Sequence, residues 1–160
     1  MTRVFIVAGK TGSRKSSTIR ALTGIGSGVK VFQIMQVNRN DDDNGINVYV
    51  HHVSLQEKYI NHDVFINQVE ENEDASNVLV ALRIDEVNRR NGDRFGSAQE
   101  YIKAFIEDGG WKIAGVAVLG EENQELLDYA PQGSSLSIPD ATQTPANDIA
   151  NQIRERWHWR

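Results

Sequence analysis

The chain has 160 residues, of which 39% are hydrophobic and 24% are charged, and its formal net charge is −5 at pH 7. These values predict one globular domain spanning residues 1–160, and they argue against a disordered, collagen-like or coiled-coil chain. The chain contains no cysteine, so it forms neither disulfides nor thiolate metal sites, and it fits a reducing compartment such as the cytoplasm.

The first predicted elements are a strand and a helix joined by a glycine-rich turn. Residues 3–8 are apolar and largely β-branched with no polar alternation, which indicates a strand buried on both faces. We expect a helix over residues 16–22, with Ile19 and Leu22 on its apolar side. Gly24 follows this helix and is suited to the left-handed position that ends it.

Two strands forming an antiparallel pair are predicted next. Residues 29–37 and 46–53 are both rich in β-branched and apolar side chains. The Asn44-Gly45 pair that precedes the second strand is typical of a tight hairpin turn.

Two S-x-x-E patterns predict helix starts, because a serine and a glutamate at this spacing cap the first turn reciprocally. The first pattern runs from Ser54 to Glu57. The second runs from Ser97 to Glu100, and an apolar stripe then predicts a helix that ends at residues 109–110.

Two further apolar strands are expected over residues 77–84 and 111–119, and residues 131–140 are expected to form a Ser/Pro-rich loop. The alternation of strands and helices predicts an α/β fold, a three-layer sandwich with a mostly parallel sheet of about five strands. The hairpin adds one antiparallel strand to this sheet.

The chain is expected to close with a helix opened by Thr144-Pro145. Trp157 continues the buried stripe of this helix. Trp159 lies off the stripe, which makes it a candidate for docking a protein partner.

The charge is distributed unevenly along the chain. Residues 1–40 hold seven basic and no acidic side chains, which leaves ten basic and all 22 acidic side chains to the other 120 residues. A nucleic-acid-binding domain usually has a basic balance throughout, so a nucleic-acid partner is not expected. No apolar run approaches the roughly 20 residues that span a bilayer, so no membrane partner is expected either. One basic segment in an acidic chain favours a local anion site over chance clustering on the surface.

The basic segment contains a phosphate-binding pattern. Residues 9–16 read GKTGSRKS and match G-x-x-x-x-G-K-[ST] in every defined position except the second glycine, where Arg14 stands. In this pattern, backbone N–H groups turn around a phosphate, the helix N-terminus adds positive potential, and Lys15 bridges the terminal phosphates. The hydroxyl of Ser16 would hold Mg²⁺. The predicted binding residues are Gly9, Lys10, Thr11, Gly12, Ser13, Arg14, Lys15, Ser16 and Ser17.

This segment resembles the P-loop NTPase superfamily, and GKTGSRKSSTIRALTG in particular looks like the first motif of small GTP-binding domains. The strand, turn and antiparallel strand that follow are similar in order to Ras-like GTPases. The resemblance implies binding of a nucleoside triphosphate, ATP or GTP, with Mg²⁺. It also implies that Lys15 neutralises charge on the phosphoryl group that is transferred.

The chain departs from that family at three places. Arg14 replaces a glycine that supplies positive φ, so it either folds away, adds its charge to the phosphates, or blocks the cradle. The magnesium-ordering aspartate expected after the third strand is missing from the sequence HHVSLQE; Gln56 and Glu57 fall where such families orient water, although capping also explains Glu57. Asp85, after the fourth strand, is an alternative magnesium partner or a plain strand-ending residue. The guanine-binding N-K-x-D sequence is absent from residues 118–123, so the choice of base stays open.

Three functions are compatible with these residues. The chain could be a nucleotide-binding protein with weak hydrolase activity. It could also be an inactive pseudo-NTPase that acts as a binding or scaffolding module for a protein partner. A small-molecule or nucleotide kinase would use, on an acceptor, the arginines that flank the loop after the fourth strand; these are Arg83, Arg89, Arg90 and Arg94. The alternative to all three functions is that this segment is a glycine- and serine-rich connector that binds nothing.

Overall fold

The computed structural model describes residues 1–24, 46–72 and 76–159 in full, and the backbone alone of residues 32–39 and 42–45. The strands in these ranges are β1 (Arg3–Gly9), β2 (Phe32–Arg39), β3 (Asp42–His51), β4 (Asn77–Arg83), β5 (Val87–Asn88), β6 (Arg94–Phe95), β7 (Lys112–Leu119) and β8 (Ser135–Ile138). The helices are α1 (Lys15–Thr23), α2 (His62–Glu70), α3 (Ala98–Glu107), α4 (Gln124–Leu127) and α5 (Ala146–Trp157), and a 3₁₀ helix spans Ala141–Gln143.

Six of the strands form one sheet in the order β2-β3-β4-β1-β7-β8. Five of these strands run parallel, and β2 pairs antiparallel with β3. The predicted α/β fold with a mostly parallel sheet and one antiparallel strand is therefore confirmed. The register sets Gly9 beside Arg83 on one side and Leu119 on the other, so the carboxyl ends of β4, β1 and β7 form one continuous edge.

Two apolar cores lie on opposite faces of this sheet. Successive side chains of a strand point to opposite faces, so β1 sends Val4 and Ile6 into one core and Phe5 and Val7 into the other. Residues of α2, α3 and α4 complete the first core, and residues of α1 and α5 complete the second. The predicted three-layer arrangement is thus confirmed.

The strand β1 occupies the point at which the chain's connections change face. The chain leaves β1 through α1 on one face of the sheet, whereas it leaves the neighbouring strands β4 and β7 towards α3 and α4 on the other face. In an open α/β sheet, such a change of face leaves a crevice outside the carboxyl ends of the strands. Open α/β sheets bind their ligands in such a crevice.

The helix predicted to begin at Ser54 is wrong in position, since α2 begins at His62. A single turn stands at the predicted start, in which the Lys58 N–H donates to the Ser54 carbonyl (3.3 Å). Tyr59 then adopts a left-handed backbone with φ 56°, which a right-handed helix does not continue through. The second capping box is confirmed: Ser97 and Glu100 cap α3 reciprocally.

The strand predictions missed three short elements and one turn position. The strand β8 lies in the segment predicted as a loop over residues 131–140, and β5 and β6 pair within the charged segment after β4. The Asn44-Gly45 pair lies inside β3, and Arg39 pairs with Asp42, so the chain reverses earlier than predicted. Residues 29–31, predicted to open the second strand, lie outside the described residues.

The C-terminal helix is confirmed, but the proposed docking role of Trp159 is not compatible with its position. Trp159 is only 1% exposed and packs against Phe5 (ring centroids 4.8 Å apart) and Trp157 (5.2 Å). His158 ends α5 in a left-handed conformation, φ 58°, and thereby turns Trp159 back onto the sheet.

Within the described part of the chain, none of the helices combines the length and the apolar character needed to cross a bilayer.

Candidate functional site

A tight turn joins β1 to α1. The Ser13 N–H donates to the Lys10 carbonyl (3.2 Å), and both Gly12 and Arg14 have left-handed backbones, with φ 79° and φ 73°. Left-handed residues in a turn let successive backbone N–H groups converge, which is the geometry of an anion-binding nest. The chain enters α1 at Lys15, immediately after the second left-handed residue.

Gly9 allows this turn to lie close to the ends of the strands. A Cβ at this position would overlap the Ser13 hydroxyl and approach the Leu119 carbonyl to 3.0 Å. Ser13 is accordingly 4% exposed, buried above the ends of β1 and β7. The first glycine of the pattern is therefore required by packing, whether or not a phosphate is bound.

Lys15 is a buried cation in the first turn of α1. Its side chain is 6% exposed, and Nζ donates to the Lys10 carbonyl at 2.8 Å, so the ammonium group lies against the turn itself. Burial lowers the pKa of Lys15, the nearby Glu57 carboxylate opposes this, and the Arg83 guanidinium adds to it. Because a buried, incompletely compensated cation is costly, the site favours an anion beside Lys15.

The turn and the start of α1 form one wall of a cavity of about 220 Å³. Among the described residues, no side chain caps α1, and the first N–H groups of any helix lack partners within it. These amides and the helix dipole give the wall a positive potential. The cavity is lined by Thr11, Gly12, Ser13, Arg14, Lys15, Ser16, Ser17, Val53, Ser54 and Glu57.

Seven of the nine residues predicted to bind phosphate thus line one cavity. The two others support it, since Gly9 lies beneath the turn and the Lys10 carbonyl holds the Lys15 ammonium group. The Lys10 side chain itself is mostly exposed and lies 3.8 Å from the carboxylate of Glu121.

Arg14 takes the left-handed backbone that the missing glycine would supply, with φ 73° and ψ 22°. Its guanidinium Nη2 donates to the carbonyl of Thr142 (3.3 Å), in the 3₁₀ helix that follows β8. The side chain therefore lies along the rim of the cavity and reaches across to a neighbouring element. The sequence left three outcomes open for Arg14. This contact agrees with the first, in which the side chain folds away.

The opposite wall comes from the turn that follows β3. Gln56 is fully buried: its Nε2 donates to the carbonyls of Arg83 (2.9 Å) and Gly96 (3.2 Å), and its Oε1 accepts from the Arg83 N–H (3.0 Å). These bonds commit the amide of Gln56 to the fold and leave it unsuited to orient water. The adjacent Glu57 is exposed and lines the cavity, as does the buried Ser54.

The two residues predicted to hold magnesium lie in different surroundings. Ser16 lines the cavity, whereas Asp85 is exposed beyond the end of β4 and does not line it. Sequence reasoning placed no weight on Val53 or Ser54 as parts of a site. The one feature that could have pointed to them is their position after β3, whose carboxyl end lies at the same edge of the sheet as that of β1.

Two of the four arginines at and after the end of β4 have structural partners. Arg94 forms ion pairs with Glu86 (2.6 Å) and Glu100 (2.7 Å), and Arg89 lies 4.0 Å from the ring centre of Tyr59. These contacts hold the β5–β6 hairpin against its neighbours, and Arg89 and Arg90 line a separate cavity of about 360 Å³.

Comparisons with protein-family models, with curated proteins and with solved structures found no significant match. The support for a function therefore comes from the residues and geometry of this cavity.

Proposed function

We propose that the chain is a P-loop protein that binds a nucleoside triphosphate, ATP or GTP, with its phosphates in the turn between β1 and α1. The observation that carries this proposal is the convergence of three features in one cavity: the left-handed turn, the uncapped N-terminus of α1, and the buried Lys15. Each feature favours an anion, and together they have the chemistry that a terminal phosphate requires.

The size of the cavity favours the phosphate groups over the whole nucleotide. Pockets that enclose a drug-sized ligand measure roughly 300–1,000 Å³, whereas this cavity measures about 220 Å³. The nucleoside would therefore lie outside it, beside the loops that follow β7 and β8. On binding, the Lys15 ammonium group would exchange its bond to the Lys10 carbonyl for one to a phosphate oxygen.

The residues of the cavity also fit Mg²⁺, which prefers oxygen ligands. The Ser16 hydroxyl lines the cavity, and the Ser54 Oγ is buried with no hydrogen-bond partner among the described residues. When bound beside the phosphates, the ion would neutralise charge that develops on them. Ser16 would hold it on the α1 side.

Binding without turnover is the second candidate function, and the burial of Gln56 favours it. The Gln56 amide is held by three bonds to the backbone, and His52 belongs to the segment after β3 in which the family has its aspartate. Burial is the main cause of the lowered pKa of His52, with Arg20 and Lys58 contributing. Hydrolysis, if present, is expected to be slow, and the protein would then serve as a nucleotide-dependent binding module for a protein partner.

Thermal unfolding with ATP, GTP or pyrophosphate, each with MgCl₂, tests the proposal. At a ligand concentration about 100 times the Kd, binding adds roughly 2.7 kcal/mol to the free energy of unfolding, which raises the Tm by about 5–10 °C at this chain length. Lys15→Ala is expected to abolish the shift.

Lys103→Ala is the matched control, because it removes an exposed lysine from α3 on the opposite face of the sheet, and it is expected to retain the shift. The absence of a shift with all three ligands, or a shift that survives in Lys15→Ala, would refute the proposal. Phosphate release measured on the same samples separates a slow hydrolase from a passive binder.

A further inference from the structure

The turn after β3 is anchored so that its carboxylate, that of Glu57, lines the cavity formed by the turn between β1 and α1. The Lys58 N–H donates to the Ser54 carbonyl (3.3 Å) and the Ile60 N–H to the Leu55 carbonyl (2.9 Å), while Leu55 is completely buried. These bonds form one compact turn at the carboxyl end of the sheet.

Gln56 fixes this turn to the neighbouring strand. Both polar atoms of its amide bond to the backbone of Arg83 at the end of β4, and Arg83 lies beside Gly9 in the sheet register. The residue that follows, Glu57, lines the cavity together with the first turn of α1, and its carboxylate is close enough to influence the Lys15 ammonium group. Gln56 is thus a positioning residue for Glu57.

Five hydroxyl-bearing side chains line the cavity beside Glu57, and two of these, Ser16 and Ser54, are the candidate cation ligands. Ser16 lies on the α1 wall, and Ser54 lies on the same wall as Glu57. Ser54 is 1% exposed, and no described group bonds to its Oγ. A buried hydroxyl normally has a partner, so this one lacks a bond that such a group usually makes. A carboxylate and two hydroxyls form the all-oxygen donor set that Mg²⁺ takes in proteins, usually together with water and phosphate.

The charge of Glu57 also requires an explanation if the cavity binds phosphate. A carboxylate facing an anionic ligand repels it, and repulsion between close charges is strong where water is partly excluded. A divalent cation between the two groups reverses the sign of the interaction. Glu57 would therefore weaken phosphate binding without a cation and strengthen it with one.

We propose that Glu57 is the carboxylate that holds the divalent cation at this site, together with Ser16 and Ser54. This inference rests on the proposed function, because the cation is needed only where phosphate binds. It assigns to the turn after β3 the role that the missing aspartate has in the family, and it replaces Asp85 as the candidate.

Affinity for a fluorescent ATP or GTP analogue, measured in EDTA and in saturating MgCl₂, tests this assignment. We expect Mg²⁺ to tighten binding to the unsubstituted chain by about 5- to 150-fold, the usual range of coupling between two ligands. In Glu57→Gln, affinity in EDTA should be equal or higher, and the gain from Mg²⁺ should fall to about 2-fold or less.

Glu122→Gln is the matched control, because Glu122 is exposed after β7 on the same sheet edge and does not line the cavity; it should keep the full gain from Mg²⁺. Asp85→Asn tests the competing assignment and should also keep it. Retention of the gain in Glu57→Gln, its loss in Asp85→Asn, or a gain of less than about 2-fold in the unsubstituted chain would each overturn the assignment. Nucleotide binding that still depends on Lys15 would in all these cases leave the proposed function intact.

A measurement without substitution gives independent evidence. With nucleotide bound, Mn²⁺ should broaden the backbone amide NMR signals of Ser16, Ser54 and Glu57 before those of Asp85 and Glu122. Broadening centred on Asp85 would overturn the assignment. If the unsubstituted chain bound no nucleotide at all, both this inference and the proposed function would be refuted.

Discussion

Arg14→Gly tests whether the side chain at the second glycine position blocks a ligand from the turn between β1 and α1. The backbone of Arg14 is left-handed, φ 73°, which costs a residue with a Cβ about 1–2 kcal/mol. Glycine removes this cost but loses about 0.4–1 kcal/mol through the greater freedom of the unfolded chain. It also loses the exposed bond to the Thr142 carbonyl, for which we estimate about 0.5 kcal/mol.

The net change in the free energy of unfolding is therefore expected to lie within about 1 kcal/mol, or about 2–4 °C in Tm. Arg14→Ala is the matched control, because it removes the same side chain but keeps the Cβ. It should be less stable than Arg14→Gly by about 0.5–1 kcal/mol, which urea unfolding can measure.

Nucleotide binding to the same variants decides the functional question. Since the guanidinium group bonds to Thr142 at the rim of the cavity, the unsubstituted chain should bind, and Arg14→Gly should change the affinity by less than about 5-fold. If the unsubstituted chain fails to bind and Arg14→Gly binds, the side chain blocks the cradle and the present interpretation of its contact is wrong.

Three further predictions concern stability and the shape of the turn. Gly9→Ala should lower the free energy of unfolding by about 1–3 kcal/mol and weaken nucleotide binding, because the added Cβ overlaps Ser13; unchanged binding in calorimetry would contradict the packing argument. Burial lowers the pKa of His51 to about 4 from 6.5, so as the pH falls the unfolded chain protonates this imidazole before the folded chain does. The free energy of unfolding should therefore be highest above pH 6.5 and should fall by up to about 3 kcal/mol towards pH 4. In urea titrations, His51→Gln should flatten this dependence, whereas the exposed control His158→Gln should not; equal slopes would refute it. Trp159→Ala should cost about 3–5 kcal/mol, whereas a change below about 1 kcal/mol, the usual effect of a surface substitution, would show that the indole is not packed on Phe5.

The elements of the fold that the sequence predicted correctly are those that local patterns of apolar residues determine. The apolar runs of β1, β4 and β7 are long enough to indicate buried strands without further information. The strand β8 was missed because Leu136 and Ile138 are its only apolar residues, and its strand conformation depends on pairing with β7.

Tertiary contacts explain the other places where the structure differs from the sequence-based predictions. The S-x-x-E pattern at Ser54 describes a helix start, but the buried bonds of Gln56 and the left-handed Tyr59 make it a single turn. The indole of Trp159 is buried only because His158 reverses the chain after α5. Neither effect is visible in local sequence periodicity.

The two walls of the candidate site likewise differ in whether the sequence alone predicts them. One wall follows from a contiguous motif, residues 9–16, which the amino-acid sequence predicts by itself. The other wall, with Ser54 and Glu57, is brought into place by strand order and by the bonds between Gln56 and Arg83.

The most direct test of the central claim is an amide NMR titration of the isotopically labelled chain with ATP, GTP or pyrophosphate. The backbone N–H signals from Gly12 to Ser17 should show the largest shifts, since these residues line the cavity, and Lys15→Ala should remove these shifts. Shifts centred elsewhere, or none with any of the three ligands, would contradict the claim that this turn binds phosphate.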